Sequence, residues 1–488
     1  MPANPGPIEG LPVWQRLHGV QFHKCELQLI KDKGTGLVAT EPLSLVADEE
    51  GFKNDRPLLT VPRGLALSAE AVREYANVDN HFRELLNATG HETARGKIML
   101  YLLVHLVRSR QTPSDSHRVA ASPWTDYIKY LERDGLLPSM WSEGERNLLQ
   151  GTSLEQAVAA KRNSLNQELE ELCEKTKQLD FWNELFWEQR KISFEDWALV
   201  DAWYRSRCLE LPSSGDAMVP SIDMANHSYD PEAYYDEDSD GDIEILLRPG
   251  YSVDPGKEVT ISYGKLKRAS EMLFSYGFID KAYSTDEMTL MVRSFEDDPL
   301  SRAKEHIFGG MPTVQLRRTD GVLKWHSPFL HLMCLNEEDG LDFRILQDNE
   351  GGRQLRMFWQ DKDVTERAAD FEELTREHEL CSVFRLRAVS ILLQQMVDQL
   401  GRLRRAPQYE DGNPIHVDAS DLRPVCVQAA ATLKEIEGSL LEATVAALEK
   451  EQQDLLADER VKAYLGSMEE APMGTAPSNA ANEDVDFS

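Results

Sequence analysis

The residues best suited to chemistry are few and lie far apart in this sequence. An apolar run within AMVPSIDMANHSYDPEAYY (217–235) ends in Asn226-His227-Ser228. Core segments do not carry two adjacent polar side chains unless something uses their polar edges. Asn226 offers both a donor and an acceptor. Arg207 stands near the end of the helical pattern of FEDWALVDAWYRSRCLEL (194–211), where a guanidinium can hold a carboxylate or complement a helix dipole. Tyr263 closes the strand pattern of EVTISYG, and Tyr276 follows thirteen residues later, just ahead of Gly277-Phe278. Gly34 and Gly36 in GTGLVAT let the backbone turn tightly and let another group approach it closely. Each residue taken alone has a plainer reading: a satisfied structural histidine, a surface arginine, a tyrosine packed on a sheet. Their order and spacing carry the case.

Two other patterns invite a wrong chemistry. GTGLVA (34–39) fits the glycine-rich dinucleotide fingerprint, but that motif opens a helix after a buried strand. Here β-branched residues and Pro42 follow, so a Rossmann site is not expected. DEDSDGDIEILL (236–247) begins like an EF-hand calcium loop, yet its twelfth position is Leu247 rather than a bidentate glutamate. An acidic β-hairpin turning at Asp240-Gly241 is the better reading. The six cysteines are scattered and form no CxxC, so no structural zinc or other metal site is expected.

The elements that must position these residues follow from pattern and composition. A chain of 488 residues exceeds one ordinary core, which predicts two domains with room for an inserted third. Residues 1–20 are expected to be a loose N-terminus, Pro/Gly-rich over 1–10 and lacking the basic-then-apolar signal pattern. Strand patterns occupy 26–48 around a glycine turn, and 58–68, with Ser68 as N-cap of the helix that follows. A helical insertion is predicted over about 69–210, including GKIMLYLLVHLVRS (96–109), WTDYIKYLERDGLLP (124–138) and a long amphipathic helix over 154–179. Strand and turn character returns over 217–280. Residues 281–465 are predicted to be an all-helical C-terminal domain, with long helices over 381–403 and 425–457. Residues 466–488 read as a disordered acidic tail.

Fifty-three Lys and Arg against 84 Asp and Glu give a net charge of −31. That field repels nucleic acid and anionic membranes; it would attract a basic protein partner, such as a ribosomal protein or a histone-like tail, or serve simply to keep the chain soluble. No apolar run reaches the roughly 20 residues that span a bilayer. Scattered cysteines suggest reduced thiols and an intracellular residence, cytoplasmic and/or nuclear; a monomer is expected.

Read together, GTGLVAT, the helix ending in Arg207, SIDMANHS (221–228) and GKEVTISYGKLKRASEMLFSYGFID (256–280) resemble the SET-domain methyltransferases. The nearest branch includes the Rubisco large-subunit methyltransferase and the fungal ribosomal-protein lysine methyltransferases. SPWTDYIKYLERDGLLP resembles that branch's W-x-x-Y…LP segment. The resemblance implies an α+β fold: a β-rich SET domain over 21–280 with a knot-like crossing, a helical insertion and a helical substrate-binding domain. It implies S-adenosylmethionine as methyl donor and no metal. Asn226 and His227 would hold its adenine and amino-acid ends, and Arg207 its carboxylate. Asp223 would lie against the active site, and Gly34, Thr35 and Gly36 would let backbone approach the cofactor. Tyr263 would be the catalytic tyrosine and Tyr276 a second aromatic wall; both would contact the cofactor.

The implied reaction is an in-line displacement of methyl from a sulfonium by a neutral amine. Its needs are positioning and deprotonation of a group whose free pKa is about 10.4. A narrow apolar channel next to a sulfonium disfavours the ammonium. The sequence departs from the branch in KLKRASEMLFSYGF, where Ser270 and Glu271-Met272 replace the usual Asn and Glu-Leu. The leading expectation is a protein-lysine N-methyltransferase acting on a ribosomal or translation-related protein. The alternatives are a protein-histidine N-methyltransferase and a non-catalytic SET-like binding scaffold.

Overall fold

The computed structural model describes residues 8–31, 33–45, 57–112, 119–135, 137–264, 267–280, 287–295, 297–347, 352–405 and 421–470. The chain divides into two compact units: Met1–Thr285 with Leu403–Glu437, and Asp286–Arg402 with Gly438–Ser488.

The first unit is built from short antiparallel sheets and a block of helices around a main apolar core, with a smaller cluster around Trp141, Leu273 and Leu433. Its first hairpin pairs Cys25–Ile30 with Gly34–Ala39, Cys25 opposite Ala39 and Ile30 opposite Gly34. Gly34 has φ +77°, a turn conformation that suits glycine. The short strand Glu258–Val259 joins the other edge, opposite Val38 and Leu37. GTGLVA is therefore a strand, not the mouth of a nucleotide-binding helix. The acidic segment is a hairpin of Ala233–Glu237 and Ile243–Leu247, with Gly241 at φ +82° in its turn. Strands at both flanks rule out an EF-hand.

Helices run from Ala69–Val78 to Phe194–Arg207. Side-chain caps mark several starts: Ser68 accepts from Ala71 N at 3.2 Å, Asp79 from Phe82 N at 2.9 Å and Thr93 from Gly96 N at 3.1 Å. Helix Ala94–Ser109 is buried continuously from Gly96 to Val107, which explains its lack of a polar stripe. The segment expected as one helix over 124–138 is helical only at Pro123–Tyr127, and a 3-10 turn Pro138–Met140 follows. A charged hub ties the block together. Asp201, fully buried, meets Arg95 at 2.8 Å, Lys161 at 2.7 Å and Arg205 at 2.8 Å.

Two expectations are corrected here. Residues 11–17 are not loose: Leu11–Leu17 is a helix, because Leu11 and Trp14 are buried in the core. The C-terminal unit is not all-helical. It contains two antiparallel meanders, Glu287–Met291/Thr313–Thr319/Val322–His326 and Leu341–Gln347/Arg353–Trp359/Lys362–Asp363. Period-2 burial in TVQLRRT and two-residue turns with positive φ, Asp320-Gly321 and Gln360-Asp361, build them. Helices Cys381–Arg404 and Pro424–Leu456 match expectation. Most of the expected acidic tail, 471–488, lies outside the described residues, while 466–470 belong to helix Glu459–Glu470. No helix among the described residues is long and apolar enough to cross a membrane.

Candidate active site

The site forms where Asn226–Ser228 runs alongside Ile261–Tyr263. His227 and Ile261 make a parallel bridge, in a unit whose named strands otherwise pair antiparallel. Ile261 N donates to Asn226 O at 2.9 Å, and Ser228 N donates to Ile261 O at 3.1 Å. His227 Nδ1 accepts from Tyr263 N at 3.0 Å, so the ring carries no proton there. Burial lowers its pKa in the same sense, against the opposing charge of Asp280. The His227 and Tyr263 rings stack with centroids 5.2 Å apart.

Asn226 Nδ2 donates to Glu258 Oε1 at 2.8 Å, and Lys33 Nζ holds the other Glu258 oxygen at 2.7 Å. Gly36 backs this pair. A Cβ there would stand 2.7 Å from Asn226 Nδ2 and 2.9 Å from Glu258 Oε1. Gly36 is thus required for close approach, and what approaches is the Asn226 side chain. Gly34 and Thr35 sit at the turn end of the hairpin. Gly34 is exposed, a Cβ on it would meet nothing within 4 Å, and neither residue lines the cavity.

A cavity of about 570 Å³ adjoins the crossing and is lined by Arg207, Asp223, Tyr235, Tyr263, Lys267 and Tyr276 among others. Four of the expected residues therefore share one space. Asn226 and His227 adjoin that lining through the Ile261–Tyr263 backbone. The Tyr263 hydroxyl donates to Ala225 O at 2.8 Å. The Tyr276 hydroxyl donates to Tyr263 O at 3.3 Å, and the two rings lie 4.7 Å apart. Burial raises the Tyr263 pKa, with Arg207 opposing and Asp223 adding to the rise, so the phenol is neutral. Lys267 pairs with Glu271 at 2.9 Å and lies 5.7 Å over the Tyr276 ring. Glu271 thus holds a cation at the wall, an arrangement unmarked by the sequence pattern.

Arg207 ends its helix and turns back on the loop it faces. Its Nη1 donates to Asp223 O at 3.0 Å and stands 3.6 Å from Asp223 Oδ2. The Asp223 side chain is wholly buried. Its Oδ1 accepts from the Tyr127 hydroxyl at 2.5 Å, and its Oδ2 has no hydrogen-bond partner. Burial raises the Asp223 pKa, against Arg207 and Tyr127, which lower it.

Sequence reasoning missed Tyr127, Ser221, Gln15 and Glu258. Ser221 has φ 72° and ψ −36°, a strained setting for a residue with a Cβ, worth on the order of 1–3 kcal/mol. Its amide donates to the Tyr127 hydroxyl at 2.8 Å, and its Oγ accepts from Gln15 Nε2 at 3.0 Å. Tyr127 is the tyrosine of the W-x-x-Y pattern, so a signal for it existed. Glu258 gave none, since a charged residue beside a turn is usually only solvated.

The six cysteines are all free, and burial pushes the Cys25, Cys208, Cys334 and Cys426 thiols up to about 12. No cluster able to hold a metal occurs among the described residues.

No family model matches the chain. It is 29% identical over 328 residues to a SET domain-containing protein 8 of Schizosaccharomyces pombe, covering 66% of this chain and 70% of the relative. It is 26% identical over 277 residues to the chloroplastic Rubisco large subunit N-methyltransferase of Pisum sativum, covering 54% and 50%. Among solved structures, Rubisco LSMT bound to AdoMet superposes with TM-score 0.64 at 18% identity, over 96% of this chain and 97% of that one. The SET domain of LSMT bound to lysine and AdoHcy superposes with TM-score 0.58 at 18% identity, over 92% of each. The chain has the SET-domain fold of these structures, and its sequence relatives include a SET-domain protein and Rubisco large subunit N-methyltransferases.

Proposed function

We propose that this chain is an S-adenosylmethionine-dependent protein-lysine N-methyltransferase acting on a basic, ribosomal or translation-related protein in the cytoplasm or nucleus. One observation carries the reading: a neutral, half-buried Tyr263 phenol, anchored on Ala225 O, in a cavity shared with Tyr276, Arg207 and Asp223. The SET-domain relative and the N-methyltransferase name of the Pisum sativum relative support it.

The residues present suit the methyl donor. The unpartnered buried Asp223 oxygen and the Arg207 guanidinium offer one negative and one positive group to a zwitterionic amino-acid end. Arg207, Asn226, His227 and Tyr276 would hold the cofactor. When bound, it supplies an electrophilic methyl group on a positive sulfur.

The chain's own part is positioning. Because Tyr263 gives its proton to Ala225 O, its oxygen lone pairs are left to accept an N–H from an incoming amine. That contact turns the amine's lone pair away from the phenol. The Tyr263 and Tyr276 rings make an apolar wall that excludes water and disfavours an ammonium. The net charge of −31 favours encounter with a basic substrate.

The test is calorimetric binding of S-adenosylmethionine to the wild type and to Asn226→Ala, then transfer of labelled methyl into ribosomal fractions. Wild-type binding lost in Asn226→Ala, with transfer reduced on the order of 100-fold in Tyr263→Phe, is the expected result. Hydrolysis of the labelled product to methyllysine rather than methylhistidine identifies the acceptor. A folded wild type that binds no S-adenosylmethionine sinks the reading.

A further inference from the structure

We propose that Tyr127 is a positioning residue for the cavity: its hydroxyl keeps the Asp223 carboxylate charged and facing the ligand, so that the site prefers a sulfonium to a neutral thioether. This rests on the reading that the cavity takes S-adenosylmethionine.

Tyr127 lies on the short helix Pro123–Tyr127, 96 residues from Asp223 in sequence. Its hydroxyl is committed at both ends. It accepts from Ser221 N at 2.8 Å, so its own proton goes to Asp223 Oδ1 at 2.5 Å. Ser221 can present its amide this way because its backbone is held at φ 72°. Gln15 Nε2 on Ser221 Oγ at 3.0 Å holds the turn from the other side. The Tyr127 ring is wedged between Trp14, 4.9 Å away, and Trp124, 5.2 Å away. The hydroxyl therefore has little freedom to leave the carboxylate.

The carboxylate has few other partners. Its side chain is wholly buried, and Oδ2 lacks any hydrogen bond. Arg207 faces it at 3.6 Å but spends its hydrogen bond on the Asp223 carbonyl. Tyr263 faces it across the cavity as a neutral phenol, and Glu132 adds a negative charge near Arg207. A buried carboxylate with too few donors takes up a proton instead. The Arg207 charge favours the anion most, and the Tyr127 hydroxyl adds the close side-chain hydrogen bond, at 2.5 Å on Oδ1. The anion in turn lies on the lining of the cavity, where a ligand's positive charge would be felt at low dielectric.

The experiment measures Kd by calorimetry for S-adenosylmethionine and S-adenosylhomocysteine, from pH 5 to 9. Their affinity ratio cancels the titrating groups common to both ligands and reports the response to the sulfonium charge. Wild type, Tyr127→Phe and Asp223→Asn are compared. In wild type the preference for the sulfonium weakens on the acid side. Loss of the phenolic donor moves that weakening up by about one to two pH units, so the ratio falls several-fold at the wild-type midpoint. In Asp223→Asn the ratio is low and flat with pH. A purely structural role for Tyr127 would weaken both ligands together and leave the pH midpoint where it was, which overturns the proposal.

Persistence of the acid-side midpoint in Asp223→Asn overturns it too, even if Tyr127→Phe fails to fold. Failure of folded wild type to bind either ligand overturns the cofactor reading itself. Binding with an unmoved midpoint overturns this inference alone.

Discussion

Replacing Gly36 by alanine adds one methyl group, and the structure says where it lands. The new Cβ would lie 2.4 Å from Ile30 Cδ1, 2.7 Å from Asn226 Nδ2 and 2.9 Å from Glu258 Oε1. Ile30 offers only the tip of a half-buried side chain, which can swing away. Asn226 and Glu258 are bonded to each other at 2.8 Å and cannot both yield without breaking that bond. The Asn226 backbone cannot follow, because its carbonyl holds Ile261 N at 2.9 Å. Overpacking of this kind costs about 1–3 kcal/mol. A broken hydrogen bond to a charged partner adds up to about 1.5–3 kcal/mol, reduced here because water can reach Glu258. At no more than about 2–4 °C per kcal/mol for a domain of this size, the melting temperature falls by several degrees. Rotation of Asn226 also lowers S-adenosylmethionine affinity at least tenfold, about 1.4 kcal/mol. Gly34→Ala is the contrast: its Cβ meets nothing, but φ +77° imposes about 1–2 kcal/mol of backbone strain. It should lower the melting temperature and leave affinity unchanged. Calorimetry and thermal melts on both variants decide. Unchanged affinity in Gly36→Ala, or equal losses in both, would refute the close-approach argument.

Two further outcomes follow from buried charge. Asp201→Asn leaves Arg95, Lys161 and Arg205 without their shared anion and should cost about 3–5 kcal/mol at pH 7 in urea unfolding. Burial alone would raise the Asp201 pKa, but Arg205 and Lys161 outweigh it and hold it below the ordinary value. Its contribution is therefore present above about pH 4 and lost as pH falls further, so the gap between variant and wild type must narrow at pH 3. Glu437, nearly buried, is raised by burial from 4.5 to about 7 despite bonds from Ser153 N at 2.9 Å and Ser153 Oγ at 2.5 Å. A raised carboxyl contributes stability below its unfolded pKa and loses it as pH rises through the folded one. Glu437→Gln should thus be near neutral at pH 4.5 and stabilising by up to about 3 kcal/mol at pH 8. Equal melting shifts at both pH values would contradict this.

The parts of the fold legible in the sequence were those where one pattern acts locally. Ser68 reads as a cap because its side chain reaches only three residues ahead. The long helices at 381 and 424 show themselves by length and apolar content. The C-terminal meanders were also legible in principle. TDG between QLRR and VLKW is a two-residue turn signal flanked by alternation, and its short strands were overlooked beside long helices. The helix at Leu11–Leu17 was hidden because a Pro/Gly-rich start reads as loose, while burial of Trp14 depends on residues more than 100 positions away.

The same division explains the site. Arg207, Asp223, Tyr263 and Tyr276 were found by order and spacing, and the cavity unites them. Ser221 and Gln15 were not, because their contacts span 94 to 206 residues and leave no local trace; Tyr127 stood in a visible W-x-x-Y pattern, but nothing local tied it to Asp223. The Asn226-His227 pair shows why a polar motif in an apolar run is ambiguous. Asn226 uses one N–H on Glu258, and His227 uses Nδ1 on the Tyr263 amide. Those bonds build the crossing itself, so the two residues would be needed even without a ligand. The other Asn226 N–H, its Oδ1 and His227 Nε2 are the atoms a ligand would meet. Substitution at either position therefore removes a folding contact and a binding contact together. Gly36→Ala presses on the Asn226–Glu258 bond alone and leaves the His227–Tyr263 contact in place, which begins to separate the two residues' parts.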